Sequence, residues 1–92
     1  MATLFKVGEK PKMIEPQIGS DFQLEEVQGL IGGYVQVVPL HGGNIMLVDE
    51  DGCMKELPFN REATVWLVEH CDFQNLIAVV GTALVCKSKE FK

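Results

Sequence analysis

The sequence predicts an α+β domain: an antiparallel sheet of about five to six strands with a central meander, and two helices packed on one face. Three observations predict it. Two stretches, 20–33 and 60–71, combine apolar residues at helical spacing with a capping residue at the start. Around them lie short runs that alternate or are rich in β-branched residues. Between the runs stand turns of Gly, Asp and Asn that suit hairpins. At 92 residues, 47% hydrophobic and 23% charged, the chain is expected to be a single domain, 1–92.

Residues 3–7, TLFKV, alternate weakly and read as a strand, and GEKP is a turn. Residues 12–18, KMIEPQI, are extended, with Pro16 placing them at an edge or ending the run. In SDFQLEEVQGLIGG, Ser20 is the expected N-cap and Gln23 completes a capping box. Leu24, Val27 and Ile31 mark its apolar face, and Gly32 or Gly33 ends it in the left-handed conformation. YVQVVPL (34–40), IMLV (45–48) and CMKEL (53–57) are expected to form the three-stranded meander, turning at HGGN and DEDG. Asn60 caps the second helix, whose Ala63, Trp66, Leu67 and His70 share a face. LIAVVGTALVCK is one long strand, or two short ones kinked at Gly81.

Charge is uneven. Residues 21–72 carry ten acidic and two basic side chains, within a net charge of −5. An acidic middle argues against nucleic acid as partner, because that binding needs clustered Lys and Arg to displace counterions. A small anionic ligand remains open, and the apolar content suits a homo-oligomer. Cys53, Cys71 and Cys86 are odd in number and match no metal spacing, so free thiols in a reducing cytoplasm are expected. No run of apolar residues is long enough to span a membrane, and Met1–Gly8 lacks the pattern of a secretory signal.

No catalytic motif is present: neither G-x-S-x-G, HExxH, a P-loop nor GxGxxG after a strand. Cys71 and His70 are adjacent on a helix and point to different faces. Asp49-Glu50-Asp51-Gly52 lacks the alternate spacing and distal glutamate of a calcium loop. The expectation is therefore no enzyme, no metal and no cofactor. Recognition groups are better represented. In LPFNREAT, Arg61 stands in a first helical turn, where a cation opposes the dipole. It either pairs with a carboxylate of its own chain or grips an anion together with Asn60 and Thr64. In IGGYVQVV, Gly33 permits close backbone approach, and Tyr34 either packs at the edge or stacks on a ring. Phe59 and Trp66 are core or a subunit contact.

The stretches LEEVQGLIGGYVQVVPL, LVDEDGCMKELPFNREAT and IAVVGTALV together resemble a family of small domains of unknown function from phages and mobile elements. The resemblance spans roughly residues 14–86. It rests on a helix ending in Gly-Gly-Tyr, a Leu-Pro-x-Asn-Arg-x-Ala-Thr box and a Val-Gly-x-Ala-Leu strand; Asp49 departs from the Asn often found at the turn. It implies a viral origin and a fold, and no chemistry. A small phage protein with recognition groups and no nucleophile suggests a sponge that sequesters a host immune signalling nucleotide in the host cytoplasm. The ligand would then lie by Arg61, Asn60, Thr64, Tyr34 and Gly33. The alternatives are an inhibitor or adaptor binding protein through its acidic face, and a nucleotide-cleaving enzyme.

Overall fold

The computed structural model describes residues 2–17, 19, 21–52, 54–70 and 78–91. Its elements run β1 (Ala2–Phe5), β2 (Lys12–Ile14), α1 (Leu24–Ile31), β3 (Val35–Pro39), β4 (Asn44–Asp49), α2 (Arg61–His70) and β5 (Ala83–Lys87). The five strands form one antiparallel sheet in the order β2-β1-β5-β4-β3. The α+β class is as expected, but the central meander is not present. Residues 54–56 form a turn rather than a third strand, and Cys53 lies outside the described residues. The place beside β4 is taken by β5, which returns from the far end of the chain and pairs Leu84 with Leu47 and Val85 with Met46. Two hairpins, β1–β2 and β3–β4, thus flank a central strand distant from both in sequence.

The helices pack on opposite faces, not on one. Side chains alternate across a strand, and β4 and β5 are apolar at successive positions. Leu4, Ile45, Leu47, Leu84 and Cys86 point to one side, where they bury Val27 and Ile31 of α1 together with Phe22. Phe5, Met46, Ala83 and Val85 point to the other, where they bury Ala63 and Leu67 of α2. Ile45–Leu47 and Ala83–Cys86 are buried throughout, the pattern of strands covered on both faces. Each fully buried aliphatic side chain contributes about 1.5–3 kcal/mol, so a chain this short gains two thin cores from one sheet. At the sheet's two edges, Lys12 and Pro39 discourage further pairing, one by charge and one by removing an N–H.

Helix α1 starts later than its expected capping box. Ser20 lies outside the described residues, and Phe22 is fully buried in extended backbone bridged to Phe91. That tertiary contact holds the chain out of the helix until Gln23, which makes no side-chain cap. The other end is as expected: Gly32 takes φ +90° and its N–H donates to the Gln28 carbonyl at 2.7 Å.

Cys86 sits inside the α1-side core. Burial, with the negative charge of Glu90 adding to it, pushes its thiol up to about 11. Almost no thiolate exists near neutral pH, and the thiolate is the reactive form. In native protein carrying Cys53→Ser and Cys71→Ser, Cys86 should resist a thiol reagent at pH 8 and react on addition of denaturant. Rapid labelling without denaturant would contradict this burial.

Candidate functional site

The LPFNREAT segment is built first as a clasp. Pro58–Asn60 run antiparallel to residues 79–81: the Gly81 N–H donates to the Pro58 carbonyl and the Asn60 N–H to that of Val79, each at 2.8 Å. Asn60 is 1% exposed. Its Nδ2 donates to the Phe5 carbonyl at 2.9 Å and the Gly81 carbonyl at 2.8 Å, while its Oδ1 accepts the Ala63 N–H at 3.1 Å. One side chain therefore caps α2, ties down the end of β1 and holds the turn before β5. Thr64 Oγ1 donates to the Asn60 carbonyl at 2.8 Å and accepts the Val79 N–H at 2.9 Å. Both polar groups expected at a ligand are already engaged by the chain itself.

Gly33 is likewise explained from within. A Cβ there would collide with Lys55 Nζ and lie 2.8 Å from Asp49 Oδ2. These two atoms form an ion pair at 2.9 Å. The Asp49 side chain is 1% exposed, and its Oδ1 accepts the Asp51 N–H at 2.8 Å, closing an Asx turn. Lys55 Nζ also lies 3.4 Å from the Gly32 carbonyl, at the negative end of α1. Asp49, the buried carboxylate of the acidic middle, is thus held by its other cation, Lys55, and not by Arg61.

Arg61 is left over. It is exposed, and its side chain makes no hydrogen bond or ion pair among the described residues. It lines a recess of about 430 Å³ with Val7, Gly8, Glu9, Lys10, Phe59 and Glu62. Phe59 is 54% exposed, so it is neither core nor wholly solvated. Tyr34, 68% exposed, lines a separate recess of about 300 Å³ with Gln28, Gly33, Asp51 and Lys55. The five expected ligand residues do not converge: Arg61 lies in one recess, Gly33 and Tyr34 in another, and Asn60 and Thr64 line neither. Of the companions of Arg61 in its recess, Lys10 was not singled out in the sequence, and Phe59 was expected as core or a subunit contact. Lys10 stands in a turn far from the box, and nothing local shows that the β1–β2 turn folds against it.

Trp66 packs on Phe5 with ring centroids 6.2 Å apart, and His70 stacks on Trp66 at 3.9 Å, nearly parallel. His70 Nδ1 lies 2.8 Å from the Trp66 carbonyl, which assigns the proton to Nδ1. Cys71 lies outside the described residues. Among the described residues no three His, Cys, Asp or Glu side chains converge to hold a metal. No helix among them is long and apolar enough to cross a membrane.

The fold and recess define a small two-sided α+β domain with a surface depression lined by two cations, two carboxylates and an aromatic ring, and an internally satisfied LPFNREAT segment. The chain belongs to DUF3846, a family of domains of unknown function, whose model matches residues 2–92. No curated protein and no solved structure matches it.

Proposed function

We propose that this is a small phage-encoded binding protein that acts in the host cytoplasm without catalysis, holding a nucleotide-like immune signal. One observation carries the reading: the recess that joins Arg61, Lys10 and the exposed ring of Phe59. Two cations without an ion pair among the described residues suit phosphate oxygens, and Phe59 suits stacking by a base. Glu9 and Glu62 on the same recess oppose an anion but accept ribose hydroxyls. The volume lies in the range of small-ligand pockets, which begins at about 300 Å³. The Tyr34 recess suits an anion less well, because its one cation is already paired with Asp49. Among the described residues, no nucleophile beside a general base lines the Arg61 recess, and retention is the reading preferred over cleavage.

Calorimetry with cyclic dinucleotides and ADP-ribose derivatives tests it. At least one should bind wild type and be recovered intact on heating the complex. Arg61→Ala should weaken that ligand about 10- to 150-fold, the scale of about 1.5–3 kcal/mol for hydrogen bonds to a charged group. Lys10→Ala should weaken it less, and Tyr34→Ala should leave it unchanged. If no member of the panel binds, the reading is lost. If a protein partner is captured whose affinity ignores Arg61→Ala and falls steeply with salt, the acidic-face inhibitor takes its place.

A further inference from the structure

The outward face of α2 breaks three local preferences at once. Val65 and Val68 are 47% and 48% exposed, although β-branched residues are poor formers of a solvated helix surface. Arg61 sits in the first turn and Glu69 in the last, each opposed to the helix dipole. The buried residues Ala63 and Leu67 fix the inward side. At helical spacing, Arg61, Val65, Val68 and Glu69 then share the outward one. Arg61 and Glu69 stand four residues either side of Val65. If two copies of α2 cross antiparallel about an axis at Val65, each arginine faces a glutamate and the valines meet between them. The dipoles are then antiparallel, and each misplaced charge gains a partner of opposite sign. No segment among the described residues covers this face.

We propose that a second copy of the chain packs its α2 on this face, twofold-related through Val65, with Arg61 of each chain paired to Glu69 of the other. The surface is self-complementary, as a twofold interface requires. The valines supply the apolar centre and the charges set direction and register at the rim. The pairing stands apart from the ligand reading, since it needs no ligand. If both hold, they draw on the same arginine, and a bound anion should favour the single chain.

Sedimentation velocity without ligand, at about 100 µM, where a micromolar dimer is mostly formed, tests it by charge exchange. Wild type should sediment as a dimer. Arg61→Glu and Glu69→Arg alone should each sediment mainly as single chains, because each sets like charges face to face. The double variant should recover the dimer. Each single change places a charge where the helix dipole favours it, so loss of folding does not confound the result. A wild-type monomer, or a dimer indifferent to either single change, would overturn the proposal, as would a double variant that fails to reassociate. The dimer is read in the absence of ligand, so a separate ligand titration of the same samples can fail or succeed without altering it.

Discussion

Asn60→Ala should lower the unfolding temperature by about 12–24 °C, the equivalent of about 3 kcal/mol in a domain of this size. The side chain closes three hydrogen bonds, all buried, to three separated parts of the chain: Phe5, Gly81 and Ala63. Losing the cap costs about 0.5–2 kcal/mol. Leaving buried carbonyls without donors costs about 1–3 kcal/mol more. Asn60→Asp separates these contributions. The carboxylate still accepts the Ala63 N–H, but it turns an oxygen toward the Phe5 and Gly81 carbonyls where an amide had donated. If capping were the whole role, Asn60→Asp would melt close to wild type. The geometry expects it to melt at least as low as Asn60→Ala. Differential scanning calorimetry of the three proteins decides between them.

The LPFNREAT segment, one of the stretches on which the expected resemblance rested, has a structural role of its own. Its Leu, Pro, Asn and Thr build a clasp against Val79–Gly81, and those residues belong to a second stretch that carried the resemblance. The two stretches were legible separately; that they bind each other was not, because hydrogen bonds across a fold leave no period in sequence. Cap, helix C-terminus and the break at Gly81 were legible because each is a local backbone event. The two-sided sheet was also legible in principle. IMLV and ALVC are apolar without alternation, and a strand covered by helices on one face only would have alternated. Residues 53–57 misled for the opposite reason. Their Cys53 and Leu57 stand four apart, as on one face of a strand, but Lys55 is drawn to the buried Asp49 and Glu56 takes a positive φ of 55°, which closes a turn. The recess was the least legible feature. Arg61 stood out because it opposed a dipole, but its companions Lys10 and Phe59 obey every local rule.

Gly81→Ala should cost about 2–4 kcal/mol, and about 1 kcal/mol or more of that should return when Leu57 is shortened. Gly81 has φ +74°, where an alanine is strained whatever the space around it. A Cβ would also lie 2.7 Å from Leu57 Cδ1 and 3.5 Å from its Cβ. The first contribution belongs to the backbone and no neighbour can relieve it; the second belongs to a side chain that can be removed. In a double-mutant cycle, Gly81→Ala with Leu57→Ala should therefore be more stable than the sum of the singles by about 1 kcal/mol or more. Additivity within error would mean that the penalty is all conformational and that the packing of Leu57 on Gly81 is loose. Positive coupling would mean that the clasp is held shut from both sides. The Pro58 carbonyl takes the Gly81 N–H, and Leu57 fills the space that only glycine leaves. That closure also fixes the approach of Phe59, the next residue but one, to the rim of the Arg61 recess. A buried glycine is thus linked, through Leu57 and Pro58, to the half-exposed ring of Phe59.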